Sequence, residues 1–456
     1  MAKKLLAILA ALCLVAAMGS VGASAVIGYD PNIARTVFFA NDIGFHILVI
    51  PDAHQTGTRD TNLIAYIESA IKYMAEQNTP LDLVIFLGDA VTGTANTSAA
   101  AIATSATWLV EPIRAAGIPY TVVFGDEDCG SVSRAEVLQI WRDVGGTIPF
   151  TYQEEVVIAD GPPPETAMED VTVNVRLFAE PSETAAGATG TTNFMYEINR
   201  KIYTCSVWNR ETFDSHTNGK PNTFLKFVPF ARLFLFDIGA KAAGQSGAPY
   251  VQADQLQFFT DINTDPLRPV LPAFVFQHIP LPEVYSGGYF LKSPFNLDLP
   301  WTTNILGTNY CGSPNYVNMT GVVLETEKAP HFSAQEFEKL TAKGNVPAVF
   351  FGHNPKNNFV ASFANKGIDL VQLPGAAWNG ASGTYLTRGA TWVSIRPSTS
   401  GGVTYGSDLL TYRQASRVGG SKVGAVNKGF NDWIQIVPYL FKNLLIGLLT
   451  PIRWIF

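Results

Sequence analysis

Five runs of almost continuously apolar residues dominate the hydrophobic pattern of the chain. They occupy residues 45–52, 81–89, 118–126, 272–278 and 346–353. Each run ends in an aspartate or a histidine. Strands that are apolar on both faces are typical of the middle of a layered sheet, where other layers cover them. The pattern therefore predicts five central strands with a polar residue at the end of each.

Segments with helical length and periodicity lie between or after these strands. Residues 63–77 and 98–116 separate the first three strands, and residues 333–343 form a further predicted helix. Ser333 is the expected N-cap of that last helix, because a serine side chain can accept a hydrogen bond from the first turn. Alternating strands and helices indicate a layered α/β sandwich.

The composition is that of a globular protein. Of the 456 residues 47% are hydrophobic, and 39 Gly and 28 Pro exclude a chain made mainly of long helices. We expect one main α/β domain over residues 26–400, insertion-rich at 146–250, where 192–200 and 232–237 resemble strands. The net charge of −7 lacks the basic excess that binding to nucleic acids requires, so no nucleic-acid partner is expected.

Both ends of the chain resemble targeting segments. Residues 1–25 have a basic start, an apolar run and a small-x-small end, which predicts a secretory signal peptide. A Gly/Ser-rich linker is predicted at 401–428, followed by an apolar tail at 429–456. Prolines and cations in the tail argue against a spanning helix, which leaves an interfacial anchor, a glycolipid-anchor signal or a packed strand. We expect entry into the secretory pathway and a product that is secreted or associated with the cell surface or membrane.

Two further features bear on that route. Asn96 and Asn318 begin acceptor sequences for N-glycans, which would make the product a glycoprotein. Outside the predicted signal the cysteines are Cys129, Cys205 and Cys311, so at most one disulfide can form within the chain.

Carboxylate and imidazole side chains follow the predicted central strands. The set consists of Asp52, His54, Asp89, Asp126, Glu127, Asp128, His278 and His353. Each residue alone has a structural interpretation, the aspartates as caps and the histidines as core residues. Open α/β sheets place ligands at the carboxyl ends of their strands, so the set as a whole indicates a common site. Mixed carboxylate and imidazole ligands suit Fe, Zn or Mn.

The same residues carry a family resemblance. Asp52-x-His54, Gly88-Asp89, a Gly-x-x-Asp box at 125–128, a lone histidine at 278 and Gly352-His353 follow one another in the order of the calcineurin-like metallophosphoesterases. The flanking sequences at 120–134, 255–259 and 276–285 resemble those of the purple-acid-phosphatase-like branch of that superfamily. The resemblance covers roughly residues 45–397.

The resemblance implies a four-layer α/β/β/α sandwich that hydrolyses phosphomonoesters at a centre of one or two divalent or trivalent metal ions. By this resemblance, Asp52 and His54 are ligands of a first metal and Asp89 is a ligand of both metals. Asp126, His278 and His353 complete the ligands of the second metal. Two ions so placed activate a water molecule and clamp the phosphoryl oxygens. A phosphorylated small molecule or protein is the implied substrate.

The chain departs from the family pattern at two positions. The family box Gly-Asn-His-[Asp/Glu] reads Gly-Asp-Glu-Asp here, so Glu127 stands where a histidine protonates the leaving oxygen. We assign Glu127 and Asp128 as candidate catalytic residues, with Glu127 as the proton donor. Pro355 replaces the second imidazole of Gly-His-x-His, which removes one ligand from the first metal, unless Asn357 or Asn358 reaches it.

Two hypotheses follow. In the first, the protein is a metal-dependent phosphoesterase. In the second, the fold survives in a catalytically impaired pseudophosphatase that acts as a secreted or surface binding protein. The six remaining metal-type residues favour the first hypothesis, and the altered box with Pro355 favours the second.

Overall fold

The structure is a computed structural model in which part of the chain is described. The described residues are 38–40, 44–93, 98–159, 165–205, 223–238, 249–285, 317–322, 329–330, 335–378, 388–398 and 402–424. The chain divides into two compact units, of which the smaller includes Thr147–Arg176 and Ile202–Lys226. All six predicted metal ligands belong to the larger unit.

The described elements alternate between strand and helix over residues 45–144, whereas those within 147–236 and 348–411 are consecutive strands. The strands are β1 (Phe38–Ala40), β2 (Phe45–Ile50), β3 (Leu83–Leu87), β4 (Tyr120–Val123), β5 (Thr147–Ala159), β6 (Glu165–Arg176), β7 (Glu183–Thr184), β8 (Phe194–Cys205), β9 (Thr223–Phe236), β10 (Ala273–Gln277), β11 (Val317–Val322), β12 (Ala348–Phe351), β13 (Asn358–Phe363), β14 (Ile368–Gln372), β15 (Gly389–Pro397) and β16 (Val403–Thr411). The helices are α1 (Thr61–Glu76), α2 (Ala99–Ala115), α3 (Arg134–Val144), α4 (Ala253–Thr264), α5 (Glu336–Thr341) and α6 (Tyr412–Ala415), with a 3-10 turn at Pro282–Tyr285.

Two sheets contain the predicted central strands. The larger sheet has the order β1-β8-β9-β10-β12-β14-β13-β11, with β7 beside β8, and the smaller has the order β16-β15-β2-β3-β4. Strands β2, β3 and β4 are mutually parallel, as are β9, β10, β12 and β14. β5 and β6 pair with each other as an antiparallel ribbon.

The two sheets face each other and carry helices on their outer faces. Tyr405 of the smaller sheet makes edge contacts with Phe274 and Phe350 of the larger one, with ring centroids 5.7 and 5.9 Å apart. On the outside, Trp141 of α3 packs on Phe86 of β3 with centroids 5.0 Å apart. Helices α4 and α5 share an apolar core with β9, β10 and β12. The predicted four-layer α/β/β/α class is confirmed.

The predicted elements match the structure well at the centre of the fold. All five apolar runs contain strands of the two sheets, although β4 lies at the edge of the smaller one. The helices at 63–77 and 98–116 correspond to α1 and α2, with Ser98 as the N-cap of α2. The helix predicted at 333–343 is shorter, since α5 begins at Glu336 with Gln335 as its N-cap. Ser333 lies outside the described residues.

The prediction of a linker over 401–428 is wrong where the structure describes strand β16 and helix α6. Strand β16 pairs with β15 from Val403 to Thr411, at the edge of the smaller sheet. Alternate residues of β16 are exposed, so the strand lacks the continuous apolar run that identifies a strand covered on both faces. Glycine and serine in this segment gave it the composition of a linker.

The predicted signal at 1–25 and tail at 429–456 lie outside the described residues. Asn96 and Cys311 also lie outside the described residues. The signal peptide and the apolar tail remain predictions. Cys129 is a free, buried cysteine. Among the described residues, no helix combines the length and the apolar character needed to cross a membrane.

A buried glutamate on α5 gives the fold a testable pH dependence. Glu336 is 1% exposed, and its Oε1 has no hydrogen-bond partner among the described residues. Burial, reinforced by the charge of Glu283, raises the pKa of Glu336 well above its ordinary value. Burial likewise raises the pKa of Glu283 to about 7 from 4.5. The folded state therefore holds protons that the unfolded chain releases near pH 4.5.

We expect the free energy of unfolding to fall as the pH rises from about 4.5 through about 7, by about 1.4 kcal/mol per unit of pKa difference. Glu336→Gln should flatten that fall, because its neutral amide needs no proton. Denaturant unfolding at several pH values measures the effect, and Glu76→Gln, at an exposed position of α1, is the control. Parallel pH profiles for the two variants would contradict the prediction.

Candidate metal centre

The six predicted ligands lie at the carboxyl ends of parallel strands from both sheets. Asp52 and His54 follow β2, Asp89 follows β3, Asp126 follows β4, His278 follows β10 and His353 follows β12. Because these ends meet at one edge of the sandwich, residues distant in sequence come together. The backbone N–H of His353 donates to Asp52 Oδ2 at 3.1 Å, a direct link between the loops of the two sheets.

The ligand atoms form two groups that share one aspartate. Asp52, His54 and Asp89 each offer an atom within 4.8 Å of the others in the first group. Asp89, Asp126, His278 and His353 do so in the second group. The first group offers three protein ligands and the second offers four, so the second is the better equipped to hold a metal ion.

Left-handed backbone conformations direct these side chains into the site. Asp52, His54, Asp89 and His353 have φ angles of 47°, 46°, 49° and 68°. Such angles are costly for residues with a Cβ, and they persist where surrounding hydrogen bonds hold them. Here the N–H of Asp52 donates to Gly88 O at 3.0 Å, and the N–H of His54 donates to Asp89 O at 2.8 Å. Strain of this kind is concentrated at functional sites.

Gly88 is needed at the site because there is no space for a Cβ. Its φ is +75°, and an added Cβ would overlap the ring of His278. We expect Gly88→Ala to cost about 2–5 kcal/mol, the sum of about 1–2 for the backbone and about 1–3 for overpacking. It should also lower the amount of bound metal by displacing His278.

Gly367→Ala is the matched control for that variant. Gly367 has a similar φ of +66°, but nothing lies within 4 Å of an added Cβ. We expect only the backbone cost of about 1–2 kcal/mol and an unchanged metal content. Urea unfolding and elemental analysis of both variants measure the difference, and equal effects would refute the steric explanation.

The surroundings of His278 fit a metal ion. Its Nδ1 lies 3.0 Å from the carbonyl oxygen of Leu87, which can only accept, so Nδ1 carries a hydrogen. Its buried Nε2 has no hydrogen-bond partner among the described residues, but lies 3.2 Å from Asp89 Oδ2 and 3.4 Å from Asp126 Oδ1. A neutral imidazole would point a lone pair at carboxylate oxygens, so the site needs either a proton on Nε2 or a metal cation between these atoms.

The acid–base properties of the group agree with that requirement. Burial alone would lower the pKa of His278, but Asp89 and Asp126 raise it well above its ordinary value. Burial alone would raise the pKa of Asp126, but His278 and His353 lower it well below its ordinary value. Burial raises the pKa of Asp52 to about 6, and the neighbouring His278 opposes that rise. Without a metal, the site needs protons to balance its carboxylates.

Asp128 lies behind the ligands and ties their loops together. It is fully buried, and its Oδ2 accepts from the N–H of Gly125 at 2.7 Å and of Asp89 at 2.9 Å. Its Oδ1 accepts from the N–H of Val91 at 3.1 Å. Burial, followed by the charge of Asp89, raises the pKa of Asp128 to about 6. This location favours a positioning role over contact with a substrate.

Glu127 lies at the open side of the site. Its side chain is 49% exposed, and its Oε2 is 3.5 Å from Nδ1 of His54. Asp126 is also partly open to solvent, with 40% of its side chain exposed, whereas Asp52 and His278 are closed off at 2% and 0%. A substrate would therefore approach from the side of Asp126 and Glu127.

The structure adds a residue that the sequence did not indicate. Arg134, at the start of α3, makes an ion pair with the fully buried Asp237 and donates to Gly125 O at 3.3 and 3.4 Å. Asp237 also accepts from the N–H of Thr191 at 2.6 Å. The ion pair and the backbone hydrogen bond place Asp237 in a structural environment. Arg134 is far from Asp237 in the sequence, so only the folded chain brings the two residues together.

Pro355 is buried beside the first ligand group. A Cβ on Gly375 would meet the Cβ of Pro355 at 2.5 Å and that of Asp52 at 3.3 Å, so these residues pack closely together. Asn357 is buried, with its N–H donating to Asn354 O at 3.0 Å, and Asn358 begins β13. The suggestion that either asparagine is a ligand stays untested.

Comparisons with known proteins bear on the family. No family model matches the chain. The chain is similar to probable inactive purple acid phosphatase 14 of Arabidopsis thaliana, with 22% identity over 371 residues, which are 76% of this chain and 74% of that protein.

Two solved structures are also similar to parts of the chain. One is a dimetal phosphatase from Danio rerio, with 10% identity and a TM-score of 0.42 over 81% of this chain and 100% of that one. The other is GAP50, the anchor in the inner membrane complex of Plasmodium, with 10% identity and a TM-score of 0.37 over 87% and 94%.

The assignment rests on the motifs, their geometry and the curated relative. The motif residues occur in the superfamily order, and the fold gathers all six candidate ligands at one edge. The relative, which carries a purple acid phosphatase name, matches the chain over 371 residues. The motif order and the curated relative support a place for this chain in the calcineurin-like metallophosphoesterase superfamily.

Proposed function

We propose that this protein is a metal-dependent phosphoesterase that hydrolyses phosphomonoesters of a small molecule or a protein. The observation that carries the proposal is the pair of ligand groups that share Asp89. A shared carboxylate is suited to holding two metal ions close together, as hydrolysis by a two-metal site requires.

Asp52, His54 and Asp89 would hold one ion, and Asp89, Asp126, His278 and His353 would hold the other. Ions bound there would supply Lewis acidity toward the phosphoryl oxygens and a water acidic enough to attack near neutral pH. Fe, Zn and Mn all suit these ligands. Among the described residues the first group offers three His or Asp ligands and the second offers four, so we propose that the first group binds its ion more weakly.

The protein's own side chains would organise the reaction around the ligands. The hydrogen bond from His278 Nδ1 to Leu87 O fixes the ring with Nε2 toward the carboxylates. Asp128 accepts hydrogen bonds from the N–H groups of Asp89 and Gly125, and so holds their two loops together. The partly exposed Asp126 and Glu127 leave one side open, so a phosphate can reach the site without rearrangement of the buried ligands.

The second candidate function is a catalytically impaired binding protein. The altered box at Glu127 and the buried Pro355 support it, because both replace imidazoles of the family pattern. The curated relative carries the name probable inactive purple acid phosphatase. In this case one ion in the second group would stabilise the fold without turnover.

We further propose that the protein acts in the secretory pathway, as a secreted or surface-associated protein. The signal-like residues 1–25 support this location, and the apolar segment 429–456 supports association with a membrane. No nucleic-acid partner is proposed, because the chain carries a net charge of −7.

Elemental analysis and phosphatase turnover of the full chain, purified from a secretory host, test the proposal. We expect between one and two metal ions per chain and hydrolysis of p-nitrophenyl phosphate within pH 4 to 8. Bound metal without turnover on monoesters would favour the binding protein. Absence of both would overturn the metal site itself.

A further inference from the structure

The two ring nitrogens of His54 face different partners. Nε2 lies 3.9 Å from Asp52 Oδ1, on the side of the first ligand group. Nδ1 lies 3.3 Å from the hydroxyl of Thr92 and 3.5 Å from Oε2 of Glu127. Glu127 therefore contacts the nitrogen that points away from Asp52.

Backbone hydrogen bonds fix all three residues that meet at Nδ1. The N–H of Glu127 donates to Asp89 Oδ1 at 2.9 Å, and its carbonyl oxygen accepts from the N–H of Gly93 at 2.7 Å. The N–H of Thr92 donates to Gln55 O at 3.1 Å, next to His54 in the chain. His54 is itself held in a left-handed conformation. Backbone hydrogen bonds thus hold the chain on both sides of the contact.

We propose that Glu127 is a positioning residue that holds the His54 imidazole through Nδ1, leaving Nε2 free to face the first ligand group. The inference rests on the proposed metal site, and it gives Glu127 a role other than the proton donation predicted from the sequence.

The chemistry of metal-bound histidines supports this role. A histidine that binds a metal through one nitrogen usually donates the N–H of the other to a carboxylate, a carbonyl or water. That contact fixes the tautomer and makes the ligand nitrogen more basic. Within the part of the chain that the structure describes, the first group has three His or Asp ligands, so the orientation of His54 has a large influence on its affinity. His278 has the same arrangement, with Leu87 O in the place of Glu127.

Nitrogen NMR of the metal-free full chain, labelled with 15N-histidine, tests the proposal directly. The chain has six histidines, and His54→Gln identifies the signals of His54. At pH 8, we expect wild-type His54 to carry its hydrogen on Nδ1. In Glu127→Ala, the populations should move toward the Nε2–H form, and Glu127→Gln should restore most of the original state because its amide oxygen still accepts.

Zinc titration by calorimetry provides the second readout. We expect Glu127→Ala to weaken one binding step by about 10- to 100-fold, the usual effect of removing such a partner. Glu127→Gln should recover part of this loss. Glu136→Ala, at an exposed position of α3, is the control. Thr92→Val measures how much the Thr92 hydroxyl contributes to holding His54.

The outcomes separate the inference from the proposed function. Hydrogen on Nε2 in the wild type, or an unchanged His54 signal in Glu127→Ala, would overturn the positioning role even if zinc binds normally. A wild type that binds neither zinc nor, in the same titration, manganese or iron would overturn the proposed function, while the nitrogen spectra would still decide the role of Glu127.

Discussion

Asp89→Asn is expected to remove most of the bound metal and to lower phosphatase turnover at least about 100-fold. Asp89 is the one residue common to both ligand groups, so the substitution weakens both. Removing a hydrogen-bond partner of a metal ligand already costs about 10- to 100-fold, and loss of a shared ligand charge should cost more. Asparagine has nearly the same shape and can still accept from the N–H of Glu127, so the loop should keep its position.

Elemental analysis and p-nitrophenyl phosphate turnover measure the effect of Asp89→Asn. Asp261→Asn, at an exposed position of α4, makes the same chemical change far from the ligands and should match the wild type. The metal content remains informative if the protein proves catalytically impaired. Asp89→Asn with wild-type metal content would show that the two groups do not bind ions through this carboxylate.

The centre of the fold could be predicted from the sequence because of how it is buried. Strands β2, β3, β10 and β12 are covered on both faces, so almost every residue in them is apolar. Such runs stand out without any knowledge of the tertiary structure. Strand β16 does not, because alternate residues along it are exposed.

The candidate ligands could be predicted for a related reason. Each lies within four residues of the end of a strand that the apolar pattern locates, and the parallel arrangement of those strands brings the ends together. The role of a residue within the site is harder to predict. Asp126 and Asp128 are two positions apart, yet Asp126 faces the histidines whereas Asp128 binds three backbone N–H groups. The direction in which a side chain points from a tight loop cannot be predicted from hydrophobic periodicity.

The contribution of Arg134 could not be predicted, since its partners are distant in the sequence. Its guanidinium reaches Asp237, at the end of β9, and Gly125, at the end of β4. It also lies 5.3 Å from the ring centroid of Phe124. Arg134 thus connects the two sheets directly beside the ligand loops, and it neutralises a carboxylate that has no exposure to solvent.

Arg134→Met is therefore expected to lower the free energy of unfolding by about 3–5 kcal/mol, because it leaves Asp237 charged, buried and without its cation. Adding Asp237→Asn should recover part of the loss, since the amide oxygen can still accept from Thr191 and Thr192 without a buried charge. Arg59→Met is the control, because Arg59 and Glu111 form an exposed pair worth about 0–1 kcal/mol. Urea unfolding followed by tryptophan fluorescence gives all the values. If Arg134→Met cost no more than Arg59→Met, the buried pair would not be a source of stability for the loops at the metal centre.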